Sequence, residues 1–489
     1  MIFSSASFIL VFLPISFFVY FFLNKKRWVD AGKLWLVVAS CIFYGYWNVK
    51  YLPLLLLSVA FNYTLGKAVT PYRGESGPRY SRKGLLIFAI SVNLFVLGYF
   101  KYMHFLLGNV DALLGLDWQI REILLPLGIS FFTFTQIAFL VDSYQGKATE
   151  YDFINYALFV TFFPHLIAGP ILHHHEMMTQ FKSCRTWIVH YRNVLLGLFI
   201  FSIGLFKKVI FADTFAGWAT YGFDVAPQLN FIDAWQTSLS YTFQLYFDFS
   251  GYCDMAIGAS LLFNIWLPIN FNSPYKALDI QDFWRRWHIT LGRYLRDYLY
   301  IPLGGNRCTL PRVYANLMLT FIIGGLWHGA SWMFVIWGTL HGVALVLHRL
   351  WRQSGMRLAK PFAWLLTFLF INITWVFFRA TTMGDVLKVL RGMTDIGSLL
   401  HPDINAIPVH DLAWAGPLSD VFVAVYPGNL LCLIAIILAF IVIAQKNAIE
   451  MLRAQGSMTV KMVYAYLLMC IGIYTTMVSA SPAFLYYNF

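Results

Sequence analysis

The chain has 489 residues, of which 59% are hydrophobic and 12% charged, and its mean hydropathy is +0.64. Soluble domains carry about 25% charged residues, so a water-exposed globule of this length is excluded. The net charge of +12 is spread over short loops, as the positive-inside bias and anionic headgroups favour, and it gives no nucleic-acid signal.

The first apolar block, Phe8 to Leu23, has no basic residue ahead of it and no small-residue cleavage site before Lys25, Lys26 and Arg27. It reads as a retained span rather than a signal peptide. Those three cations, and later Arg73, Arg79, Arg82 and Lys83, should be cytoplasmic, which puts the N-terminus outside. Further blocks follow to about residue 480 and predict ten to twelve spans. Each approaches the ~20 residues that cross a bilayer as a helix. Lipid satisfies no open backbone group, so the expected fold is an all-α polytopic bundle forming one membrane domain over 1–489.

Between about 160 and 345 the blocks are interrupted by Gly, Pro, His, Asp and Arg, and the catalytic core is expected at about 120–350. Ionisable residues at membrane depth are candidates for function. The stretch 381–428, with Pro402, Pro408, Pro417 and Pro427, reads as an extramembrane loop holding one short helix. Lys446, Arg453 and Lys461 should be cytoplasmic, which sends 462–480 outward and leaves the C-terminus outside.

Four stretches carry chemistry. In 281–300 the positions Trp284, His288, Leu291, Leu295 and Tyr298 recur at helical spacing. They predict one amphipathic interfacial helix whose Arg285, Arg286, Arg293 and Arg296 face phosphates or headgroups. In 321–342, His328 lies between Gly324–Gly325 and Gly329 in a lipid-compatible run, where an imidazole needs a partner or a cavity and suits general-base work. His173, His174, His175 and Glu176 invite a metal reading, but consecutive side chains on a helix diverge, so no metal site is expected. Asp248 and Asp254 lie inside an apolar block, to line a polar path or pair with Arg or His. The six cysteines are far apart and show neither metal spacing nor a disulfide framework.

Taken together, YFKYMHF (99–105), LLPLGISFFTFTQIAFLVDSYQG (124–146), FPHLIAGPI (163–171), QLYFDFSGY (244–252), NFNSPY (270–275), DFWRRWHITLGRYLRDYLYIPLGGNR (282–307) and GGLWHGA (324–330) resemble the membrane-bound O-acyltransferase family. The resemblance is to its bacterial branch of alginate O-acetyltransferases, in the same order and spacing; Cys253 stands where relatives commonly have Ser.

The resemblance implies about eleven spans with shorter interfacial and re-entrant helices around a central tunnel. It implies that His328 is the catalytic histidine and His288 the second active-site position. It implies no bound cofactor or metal, and an acetyl donor that is a cytoplasmic thioester, acetyl-CoA, with Arg285, Arg286 or Arg293 near its phosphates. The acetyl group would pass across the inner membrane to a periplasmic SGNH-type acyltransferase that modifies an exopolysaccharide such as alginate. D-alanyl or peptidoglycan acylation on the same fold, and a non-catalytic transporter, are the alternatives. The C-terminal FLYYNF (484–489) resembles an aromatic motif in which a tyrosine holds the acyl group; by position that is Tyr486, with Tyr487 where Phe is usual.

Overall fold

The computed structural model describes residues 1–71, 81–115, 118, 123–148, 152–400, 428–478 and 484–485. Among them every regular element is a helix. Eight stretches are long and apolar enough to cross a membrane, against about eleven expected, and one of the eight, Val29–Val69, contains two helices of 20 and 18 residues. Phe18, Leu57 and Phe95 stand exposed on such helices, as a lipid-facing surface requires. The chain packs as two compact units, Met1–Leu198 with Ala256–Pro268, and Phe199–Met255 with Ile269–Phe489.

The first unit is fastened by polar side chains that pair inside the apolar bundle. Asn62 and Asn93, on the Leu52–Val69 and Arg82–Leu97 helices, exchange amide hydrogen bonds of 3.1 and 2.7 Å. Such bonds are favoured where lipid offers no alternative partner. Arg82 donates to the carbonyls of Val69 and Tyr144, closing the end of the Ile129–Tyr144 helix onto its neighbours. His174 is buried against the rings of Phe139 and Phe159, whereas His175 is exposed. His174 and His175 thus diverge as neighbours on a helix do, and His173 precedes that helix as its extended N-cap.

In the second unit the Leu310–His328 and Trp332–Gln353 helices pack backbone to backbone. A Cβ at Gly325 would run into the Phe334 carbonyl, and one at Gly338 into that of Phe321. Small residues at these crossings set how closely the helices approach. The stretch after Thr382 does hold a helix, Met383–Thr394, started by a reciprocal Thr382–Asp385 capping box. Residues 401–427 of that expected loop lie outside the described residues.

Asp248 and Asp254 pair with lysines, not with Arg or His. Lys207 Nζ is 2.7 Å from Asp254, and Lys208 Nζ is 2.6 Å from Asp213 and 2.8 Å from Asp248. Both lysines belong to a π-helical turn, Lys207–Ala212, that extends the preceding helix. The wider turn swings both ammonium groups inward toward the Phe231–Leu262 helix.

Candidate active site

The stretch 281–300 is not one helix. It is built as Ile280–Arg286, a break, Ile289–Leu295 and a π turn Arg296–Tyr300. The break falls at His288, which adopts left-handed backbone angles (φ 45°, ψ 52°). A non-glycine residue there costs on the order of 1–3 kcal/mol, which the surroundings must repay. The repayment comes from Asn270. Its backbone carbonyl accepts from Ile289 N–H at 3.0 Å, and its Oδ1 accepts from Thr290 N–H at 3.2 Å and Thr290 Oγ1 at 3.0 Å. The His288 Nδ1 also lies 3.1 Å from that Oδ1. Sequence periodicity missed the break because it assumes unbroken helix; the cause is a residue 18 positions earlier.

This clamp fixes the chemistry of His288. The Thr290 backbone N–H can only donate, so the Asn270 atom it meets is the amide oxygen. His288 Nδ1 must then carry a hydrogen and donate it, which puts the lone pair of the neutral ring on Nε2. The ring is fully buried, in the connection between spans, and burial pushes its pKa from 6.5 to about 3. His288 is therefore neutral near pH 7. While neutral, its Nε2 accepts a hydrogen bond or a proton and cannot donate one to an oxyanion.

His328 is the last residue of its helix, followed by an extended Gly329. The helix thus ends at the imidazole, within an aromatic box of Trp327, Trp337 and Phe378 with ring centroids 5.0 to 5.2 Å away. The His288 and His328 rings are 6.2 Å apart. The two histidines that sequence singled out are thus brought together from elements 40 positions apart.

His328 lines a cavity of about 510 Å³ whose walls include Trp284, Arg285, Arg293 and Arg296. Of the three expected phosphate-binding arginines, Arg285 and Arg293 line this cavity. Arg286 turns away: its Nε donates to Asp282 at 2.9 and 3.0 Å, and its head reaches the Asn272 carbonyl. Arg296 is paired with Asp297.

Tyr486 lies outside the described residues. Phe484 and Leu485, just before it, are placed. Phe484 is buried and stacks on Tyr252 at 4.4 Å, and it lies 6.1 Å from Phe249, whose ring is 4.9 Å from that of His288. Leu485 N–H donates to Asp248 Oδ2 at 2.9 Å. The Lys208–Asp248 pair therefore also holds the C-terminal segment, a role its sequence neighbourhood did not signal.

His288 and His328 thus lie close together, with His328 on the wall of an arginine-lined cavity in a helical membrane protein, and comparison with known proteins gives the family. The model of the membrane-bound O-acyltransferase family matches residues 41–384. A protein named peptidoglycan O-acetyltransferase in Helicobacter pylori is 47% identical, over 100% of this chain and 98% of that protein. One named "Probable alginate O-acetylase AlgI" in Azotobacter vinelandii is 39% identical over 87% of this chain and 85% of its own. A teichoic acid D-alanyltransferase of Streptococcus thermophilus is 27% identical over 48% of this chain and 59% of its own. This chain belongs to the membrane-bound O-acyltransferase family, as a multi-pass membrane enzyme that transfers acyl groups to oxygen.

Proposed function

We propose that the enzyme takes an acetyl group from a cytoplasmic thioester, acetyl-CoA, and passes it across the inner membrane, where a periplasmic SGNH-type partner places it on a cell-surface glycan. The observation that carries this reading is His328 on the wall of a cavity that also holds Arg285 and Arg293. A thioester is already activated, so the protein need supply only position, a base and charge stabilisation.

In the proposed step His328 removes the proton from an acceptor hydroxyl while its oxygen attacks the thioester carbonyl. The carbon–sulfur bond breaks and the thiolate leaves into the cavity. His288, neutral with its lone pair on Nε2, stabilises the His328 imidazolium as it forms. A positioned base contributes roughly 10²–10⁴-fold in rate. The acceptor hydroxyl is that of Tyr486, which would carry the acetyl group to the outer face. The seating of Phe484 and Leu485 against Tyr252 and Asp248 supports this, because it anchors the preceding residues near His288.

Of the glycans named by relatives, peptidoglycan is favoured over alginate, since that relative matches along the whole chain at the higher identity. Acetyl transfer by membranes of a cell expressing the protein, scored on purified peptidoglycan and on exopolysaccharide, separates the two. The mechanism is tested by peptide mass spectrometry of purified protein incubated with acetyl-CoA. An acetyl adduct on Tyr486 that vanishes in His328→Ala is expected; an adduct of equal yield in that variant would remove His328 from the step.

A further inference from the structure

Next to the His328 cavity is a second one, of about 520 Å³, with Tyr300, Asn306, His348, Arg349 and Arg352 among its lining residues. Gln281, Tyr300, Leu317 and Leu345 are walls of both cavities, so the two adjoin. We infer that Arg349 and Arg352 form the site for the phosphate of a phosphopantetheine thioester, and that the arm runs from there into the His328 cavity. This rests on the acetyl-donor reading above and names the donor's anchoring site.

The register of a single helix carries the argument. Trp337, against His328, and Leu345, His348, Arg349 and Arg352 are all on the Trp332–Gln353 helix. At 100° per residue they lie along one side of it. Arg349 and Arg352 follow Trp337 by three to four turns, roughly 18–22 Å at 1.5 Å rise per residue. Helical side chains lean toward the helix N-terminus, so both guanidiniums reach back toward His328. A phosphopantetheine arm, from sulfur to phosphorus, has about as many bonds as a four- or five-residue peptide and spans roughly 15 Å extended. The arm and the gap match.

Charge points the same way. Arg349 donates to Asn306 Oδ1 at 2.9 Å and Arg352 to Gln281 Oε1 at 3.1 Å. Each head is oriented by a neutral amide, which leaves its positive charge for an anion. Tyr300 also donates to Asn306 Oδ1, at 2.9 Å, fixing that amide. The carboxylate nearby, Asp279, lies 3.7 Å from His348. Arginine's planar fork suits phosphate oxygens.

The test compares full-length wild type with Arg349→Gln/Arg352→Gln, both purified and reconstituted in vesicles, using acetyl-CoA, an acetylated phosphopantetheine carrier protein and phosphate-free acetyl-pantetheine. The double variant should raise KM by roughly tenfold to a hundredfold for a phosphate-bearing donor, the effect of losing charge-assisted contacts. The two enzymes should differ far less with acetyl-pantetheine. A KM rise confined to acetyl-CoA or to the carrier protein identifies the phosphate's source. An equal loss with all three donors would make the arginines structural and overturn the proposal. So would an unchanged KM in vesicles of zwitterionic or anionic lipid, which would leave them as headgroup anchors. A wild type that uses none of the donors would instead remove the acetyl-donor reading itself.

Discussion

Asn270 is a sharp place to perturb the site, because one buried amide oxygen accepts from three donors at once. Truncation to alanine removes the acceptor shared by His288 Nδ1–H, Thr290 N–H and the Thr290 hydroxyl. Each buried donor left without a partner costs about 1–3 kcal/mol, so Asn270→Ala should lose several kcal/mol and relax the left-handed turn at His288. Asn270→Asp is the more informative change. It keeps an acceptor oxygen for all three donors and adds a negative charge beside the ring. A carboxylate at that distance raises a histidine pKa by about 1–3 units. If neutral His288 is needed, the acid limb of activity must then move to higher pH, because more base is required to deprotonate the ring. Titratable groups near this centre include His328, 6.2 Å from His288, and Cys253, 3.6 Å from the Asn270 amide nitrogen. The assay is acetyl transfer from acetyl-CoA between pH 4.5 and 9, with melting temperature in detergent measured alongside. An Asp variant that folds, retains activity and follows the wild-type pH profile would refute the tautomer argument.

Three further outcomes are expected. Lys208→Ala removes the buried ammonium that Asp213 and Asp248 share, and should cost about 3–5 kcal/mol, read as a lower melting temperature and poor expression. Gly325→Ala and Gly338→Ala each force a Cβ onto a backbone carbonyl of the facing helix, and should each lower stability by about 1–3 kcal/mol, whereas Gly217→Ala, with open space around it, should not. For pH, the folded state resists protonating His288 down to about 3 while the unfolded chain takes a proton near 6.5. In that window the unfolded state binds more protons, so stability is full above pH 6.5 and falls as pH drops toward 3, by at most ~1.4 kcal/mol per pH unit for one group. Thermal unfolding followed from pH 7.5 to 5 should show this slope in wild type and a shallower one in His288→Gln.

The Lys208–Asp248 pair meets the requirement that a buried ion be compensated, and it also presents Asp248 Oδ2 to Leu485 N–H. Around His328, the rings of Trp327, Trp337 and Phe378 take the place of water over part of the imidazole surface, while the rest faces the cavity.

Composition alone settled that the chain spans a membrane as helices, since 12% charge cannot coat a water-exposed surface of this size. Motif order settled the family, and the glycine-flanked His328 was legible because an imidazole in an apolar run demands a partner or a cavity. Other features came only with the tertiary structure. The spacing of Trp284, His288 and Leu291 fits a continuous helix, yet Asn270 pulls the backbone into a left-handed turn and so sets which nitrogen of His288 holds the lone pair. The lysine partners of Asp248 and Asp254 lie 40 or more positions away, and Arg286, adjacent to Arg285, is taken up by Asp282. Local periodicity records which face of a helix is apolar; it holds no record of which distant donor meets which acceptor, and in a buried site that pairing decides the chemistry.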